Sequence, residues 1–372
     1  MSKIAKGVGI AALALVGVVG AGAAWVEMTS SSMAAQVYET HRVDIPFPFP
    51  LTEGELAALR AEKAAELAAA TPTPPPDAAL VGSAGGGPVA ADGTAADGST
   101  TAEPPPDPLA GVDLDAIAME RAVARGEHLV LSRYACVECH GDDFAGGVMV
   151  DDPAIGSMLG RNLTTGKGGV TAGYTMADWD RIVRHGVKPD GTGAVMPSED
   201  YVAMSDRELS DIVAYIRSKP AQDAEVPPPA LGPLGKVLIA TNQFKMSASL
   251  LPDHQAAHAV EPPEAAANVE FGKHLAQICT GCHNPELSGG PMAGAPPDWA
   301  VPRNLTPHED GLKGWTFENF ETAMRQGKRP DGSALGVPMN NMPKYAQRMT
   351  DTEMQALWMY IQQLPATPTP QG

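Results

Sequence analysis

This chain is poor in cysteine, in aromatic residues and in positive charge. Its 372 residues include four Cys, and aromatics make up 5%. All four Cys fall in two short motifs, so none is left for a disulfide or a nucleophile. Lys and Arg number 26 against 44 Asp and Glu, a formal charge of −18, which excludes nucleic acid as a natural partner. Few aromatics beside 39 Gly and 35 Pro indicate small cores and long irregular stretches. No convincing strand alternation is visible. No carboxylate pair suited to acid/base catalysis stands out, because Asp142-Asp143 and Asp151-Asp152 are sequence neighbours of the kind that solvate or form turns.

The motifs are Cys136-Val137-Glu138-Cys139-His140 and Cys279-Thr280-Gly281-Cys282-His283. Cys-X-X-Cys-His reads as covalent attachment of a c-type haem, with two thiols meeting two vinyl groups and the adjacent His beneath the iron. A zinc knuckle and a thioredoxin-like dithiol are the competing readings. Zinc needs four ligands at one place, whereas each motif supplies three, and no βαβ pattern surrounds either. Two covalently bound c-type haems are therefore expected, held by Cys136, Cys139, His140, Cys279, Cys282 and His283.

One long apolar run exists, residues 7–26, preceded by Lys3 and Lys6. It is long enough to span a bilayer, and the flanking charges place the N-terminus in the cytoplasm. Ala21-Gly22-Ala23 also fits a signal-peptide cleavage site. Either way the haem motifs are exported, and the expected location is the periplasmic side of a bacterial inner membrane, with a single-pass anchor. Residues 1–27 are assigned to this segment. Residues 28–115 are expected to be a stalk, helical over 53–70 and a flexible Pro/Ala/Gly spacer over 71–108.

From about residue 116 the chain repeats itself. Arg161-Asn162-Leu163-Thr164 matches Arg303-Asn304-Leu305-Thr306, and Met196-Pro197 matches Met342-Pro343. Ser205…Glu208 and Thr350…Glu353 are capping boxes that open terminal helices. Middle helices are expected from near Thr175 to Gly186 and from near Thr316 to Gly327. The expected fold class is all-α, with one domain over 116–222, a linker over 223–264 and a second domain over 265–366. Within the linker, residues 231–242 are apolar enough to lie against a domain.

A low-spin electron-transfer haem needs a second axial ligand, and a thioether raises its potential. Met196 and Met342 lie 56 and 59 residues after their His and are the expected axial ligands, with His140 and His283 opposite. Met339 is a rival in the second loop. His128 and His274 are rivals that would give bis-His haem of lower potential. His185 has no counterpart in the second repeat and reads as a surface residue. Arg161 and Arg303 are candidate partners of haem propionates.

These residues resemble tandem class I cytochrome c domains over about two thirds of the chain. The resemblance implies that the first and last helices of each domain cross at a Gly and an aromatic residue, fitted by Gly126 with Tyr215 and Gly272 with Tyr360. It also implies a Pro facing the proximal His, where Pro302 stands in the second domain and Gly160 in the first. More narrowly, the chain is similar to membrane-anchored di-haem cytochromes c and to cytochrome subunits of periplasmic dehydrogenases. The implied activity is electron transfer rather than catalysis. It would run from a quinol-oxidising module or dehydrogenase to a soluble cytochrome or terminal oxidase. The alternatives are a di-haem enzyme such as a cytochrome c peroxidase, which needs an open iron, and a cytochrome subunit of a dehydrogenase complex.

Overall fold

The structure is a computed structural model that describes residues 3–70, 107–292, 295–296 and 298–371; side chains before residue 19 lie outside it. It divides into two compact units, Pro50–Ala118 and the remainder, and both repeats lie in the larger. Helix α1 (Lys3–Ala34) carries the apolar run. Among the described residues no helix is long and apolar enough to cross a membrane, so the expected anchor is not found there, and most of its side chains are undescribed. In the smaller unit α2 (Glu53–Ala70) is capped by Thr52, whose backbone N–H donates to Glu55 at 2.8 Å. The spacer expected over 71–108 lies, except for its last two residues, outside the described residues.

The first repeat comprises α3 (Leu114–Leu129), a π-helical turn (Val130–Tyr134), the short α4 (Val137–His140), strands β1 (Gly147–Asp152) and β2 (Gly156–Gly160), α5 (Met176–His185) and α6 (Asp206–Arg217). Thr175 and Ser205 cap α5 and α6 with full capping boxes, and Gly186 ends α5 at φ 63°, a left-handed conformation suited to glycine. The linker supplies β3 (Ala230–Leu231), α7 (Pro233–Ala240) and α8 (Ser247–Leu250). The second repeat follows with α9 (Val269–Ala276), α10 (Thr280–His283), α11 (Phe317–Gln326), α12 (Met342–Ala346) and α13 (Asp351–Gln363). Thr316 and Thr350 cap α11 and α13 in the same way.

The chain is helix-rich, as expected, and carries one small sheet that the sequence did not announce. β1, β2 and β3 form a three-stranded antiparallel sheet with Gly147 opposite Gly160 and Gly156 opposite Leu231. Its hairpin turns where the Asp152 carboxylate accepts from the backbone of Ala154 and Ile155, each at 2.8 Å. The strands are short and glycine-bounded, and the register slips between Val148 and Val150, so no alternation marks them in sequence. A Cβ at Gly160 would collide with the Cys139 carbonyl, so the hairpin lies directly against the haem motif only because that residue is glycine.

Segments read as stalk and linker belong to the first domain. Ile45 and Phe49 are buried in its core beside Tyr134, Trp179 and Leu209. The rings of Phe47 and Phe49 lie under the guanidinium groups of Arg217 and Arg207. Helix α7 docks on the hairpin, where the Leu234 N–H donates to Ala154 at 2.8 Å, and an ion pair of 2.7 Å joins Lys236 to Glu27 of α1.

Each domain closes by crossing its first and last helices at glycine. A Cβ on Gly126 would meet the Asp211 carbonyl and the Tyr215 side chain; one on Gly272 would meet the Ala356 carbonyl and Tyr360. The domains then pack against each other by a reciprocal exchange. His274 of the second bonds Glu208 at 2.9 Å, and His128 of the first bonds Glu353 at 2.8 Å. Both acids are capping-box residues, so each domain's His clasps the start of the other's terminal helix. Glu208 also accepts from Arg133 at 2.7 Å, and Arg133 donates to the His274 carbonyl at 2.8 Å. His128 and His274 are thus interface residues and not axial ligands.

Burial alone would raise the Glu208 pKa, but the His274 hydrogen bond and the Arg133 charge outweigh it and hold the carboxyl at about 2. A depressed carboxylate stabilises the fold above its unfolded value of 4.5 and loses that contribution as pH falls toward about 2. The shift corresponds to roughly 3 kcal/mol. Urea denaturation of the holoprotein between pH 6 and pH 2 is expected to show an acid loss of stability that Glu208→Gln makes shallower; an unchanged acid limb in that variant would refute the assignment.

Candidate haem sites

Two apolar cavities flank the Cys-X-X-Cys-His turns. The first, of about 480 Å³, is lined by Cys136, Cys139, His140, Arg161, Trp179 and Met196 among others. The second, of about 240 Å³, is lined by Cys282, His283, Arg303 and Met339. The imidazole of His140 bonds the Arg161 carbonyl at 2.8 Å, and that of His283 bonds the Arg303 carbonyl at 2.6 Å. Each bond fixes one ring nitrogen and leaves the other for iron. Gly160 therefore does not cost the first domain this bond, because the carbonyl one residue later makes it in both repeats.

The loops that carry these carbonyls are pinned by buried asparagines. Asn162 is fully buried; it donates to the Gln222 carbonyl at 2.8 Å and accepts from Thr164. Asn304 does the same with the Thr367 carbonyl and Thr306. Their burial explains the recurrence of Asn-Leu-Thr and excludes glycosylation there.

The donor set suits a porphyrin rather than zinc. The Cys and His side chains of neither motif converge; among the described residues the one convergent group of potential metal ligands lies elsewhere. In the first cavity the Arg161 Nε and Trp179 Nε1 atoms are buried without a hydrogen-bond partner, as expected of donors awaiting a haem propionate. Burial pushes the Cys136 and Cys279 thiols up to about 12.

Met196 takes its expected place in the first cavity. Met342 does not. It opens α12 and packs against the core of the first domain together with Ile278 and Tyr345. Lys344 and Tyr345 of α12 both bond Glu138 inside the first haem motif, the former at 3.1 Å, and this draws α12 across the domain boundary. Met339, three residues earlier, lines the second cavity in its stead.

The opposite corner mirrors this arrangement. Asp200, in the loop after Met196, lies against Gly281 inside the second haem motif. Burial and the neighbouring Glu199 push its pKa up to about 7, although a Gly281 N–H bond opposes the rise. Each Cys-X-X-Cys turn therefore touches the Met-bearing loop of the other domain. His185 is a further correction: it is 1% exposed and enclosed by His41, His254 and His258.

The family described as cytochrome c matches residues 269–365, and that described as cytochrome C oxidase, cbb3-type, subunit III matches residues 121–216. A diheme cytochrome c-type protein of Cereibacter sphaeroides is 22% identical over 268 residues, 65% of this chain and 86% of the relative. The chain is a di-haem cytochrome c. Its two cavities hold two covalently bound c-type haems. The cytochrome is also similar to the alcohol dehydrogenase (quinone) cytochrome c subunit of Komagataeibacter europaeus, 28% identical over 264 residues, 64% of this chain and 55% of that one. A gluconate 2-dehydrogenase cytochrome c subunit of Pantoea cypripedii is 27% identical over 287 residues, 68% of this chain and 62% of the relative. The cytochrome thus spans just over half the length of these dehydrogenase subunits.

Substitution separates the two methionines of the second loop. Met339→Ala is expected to remove half of the weak long-wavelength ferric band of Met–iron ligation and to open one haem to carbon monoxide. Met342→Ala is expected to keep the band at full intensity. The reverse pattern in the optical spectra would restore Met342 as the ligand.

Proposed function

We propose that this cytochrome is the electron-transfer subunit of a quinone-linked dehydrogenase complex on the periplasmic side of the bacterial inner membrane. It accepts electrons from a subunit that oxidises an alcohol or a sugar-derived substrate. It passes them between its haems to a downstream carrier or the quinone pool. The carrying observation is the similarity, across both haem domains, to cytochrome c subunits of alcohol and gluconate dehydrogenases. Packing of each haem motif against the other domain's Met loop supports the same reading, since it joins two redox centres into one relay.

The chain's own residues hold and tune the haems and break no substrate bond. When bound, the haems supply one-electron chemistry. His140 and His283 are oriented through their backbone partners, and Met196 and Met339, which line the two cavities, would offer the second ligands. A thioether on each iron would favour the ferrous state and deny access to peroxide, which argues against the peroxidase reading. The periplasmic location rests on haem attachment outside the cytoplasmic membrane and on the apolar run at residues 7–26, which would hold the chain there by one span or be cleaved on export.

The test is reduction of the haems in cell envelopes, followed in the α-band after adding ethanol, gluconate or fructose. Rapid reduction of both haems by at least one of these, with loss of that substrate's oxidation when the chain is deleted, is the expected result. Reduction by quinol alone, indifferent to every dehydrogenase substrate, would overturn the dehydrogenase assignment.

A further inference from the structure

Outside both haem cavities, four side chains from three distant stretches of sequence meet at one point. They are His41 from the N-terminal segment, Asp180 and His185 from α5, and His258 from the interdomain segment. Their nearest ligand atoms all lie within 4.8 Å of one another. His41 Nε2 is 3.4 Å from Asp180 Oδ2, and His185 Nε2 is 3.8 Å from the same oxygen. His258 Nε2 is 3.1 Å from His185 Nε2 and 3.9 Å from Asp180 Oδ1. A tetrahedral ion with bonds of ~2.0–2.1 Å sets its ligand atoms ~3.3 Å apart, within the spread of these separations.

The hydrogen bonds around the group decide which nitrogens carry protons. His41 Nδ1 faces the Ala256 carbonyl at 2.8 Å, and His258 Nδ1 faces the Val202 carbonyl at 2.9 Å. A carbonyl only accepts, so both Nδ1 atoms are protonated, and in the neutral form of each ring the Nε2 atom bears the lone pair. His254 Nε2 faces the Ala248 carbonyl at 2.9 Å, which leaves its Nδ1 as an acceptor. That atom is 3.2 Å from His185 Nδ1, which must therefore be the donor. His185 Nε2 then also bears a lone pair. Three lone pairs and a carboxylate oxygen face one another with no proton among them, and His41 Nε2 is buried without a partner.

Arg184 is the cation beside this arrangement among the described residues, and its guanidinium is already committed to Asp180 Oδ1 at 2.7 Å, the Met204 carbonyl at 2.9 Å and Asp206 at 2.8 Å. It anchors Asp180 and leaves Oδ2 directed at His41 and His185.

We propose that His41, Asp180, His185 and His258 form a closed, four-coordinate site for one zinc ion, with His254 orienting His185 from behind. Three imidazoles and a carboxylate are borderline donors suited to Zn²⁺, and a full set of protein ligands marks a structural site, not a catalytic one. The ion would staple the N-terminal segment and the interdomain segment to α5. It would also brace the loop of the first axial methionine. Val202 receives His258, and Ala248 receives His254, while the neighbouring Ser247 hydroxyl donates to the Met196 carbonyl.

The experiment uses the tag-free, full-length holoprotein, stripped with a chelator and titrated with Zn²⁺ alone against a chromogenic competitor. Zinc is counted against haem iron by elemental analysis. One zinc per two haem irons is expected. His41→Asn and His258→Asn, which leave the Arg184 anchor intact, are expected to weaken binding by more than ~100-fold with the haem spectrum unchanged, and His254→Gln by ~10–100-fold. Absence of saturable zinc binding by the wild-type holoprotein, or wild-type affinity in the His41 and His258 variants, would overturn the proposal.

Discussion

Two carboxylates hold the larger unit together. Glu208 and Glu353 each sit at the third position of a terminal helix, where they complete a capping box, and each also receives a histidine from the opposite domain. One group thus starts a helix and joins two domains. Helix capping contributes about 1 kcal/mol and tolerates exposure, whereas a nearly buried carboxylate needs every lone pair occupied. Glu208 meets that demand with Ser205, Arg133 and His274. The second copy lacks an arginine at the place of Arg133, so the duplicated interface is tighter on one side.

This exchange fixes where the haem motifs face. Glu138 is held by Lys344 and Tyr345, and Gly281 leaves room for Asp200, so each attachment turn lies against the Met-bearing loop of the other domain. An electron entering one domain meets the second through bonded contacts and buried side chains, not through a hinge. Asp200, whose pKa burial and Glu199 raise to about 7, lies beside the second attachment turn.

Much of this was legible in the chain because it is written locally. Cys-X-X-Cys-His and the four caps each depend on residues a few positions apart, and the internal repeat marks every one of them twice; the crossing glycines, whose partners are distant, came from the family resemblance. What escaped depends on distant contacts. Met342 and Met339 are equally good ligands on paper; Met339 lines the second cavity, while Met342 is carried against the first domain as Lys344 and Tyr345 bond Glu138, more than 200 residues earlier. The hairpin of the first domain hides because glycines and an Asx turn build it without alternation. Ile45 and Phe49 looked like part of a tether, yet their apolar side chains complete a core too small to close alone. His185 has no twin in the second repeat, and that asymmetry was the sequence signal for a feature belonging to the first domain only.

The central claim is that the two haem domains form one fixed relay. The most direct measurement is the distance between the two ferric irons in the frozen full-length holoprotein by pulsed electron paramagnetic resonance. The account predicts a single narrow distribution that broadens when Glu208 and Glu353 are both replaced by Gln. A broad or two-peaked distribution in the unaltered protein would contradict it.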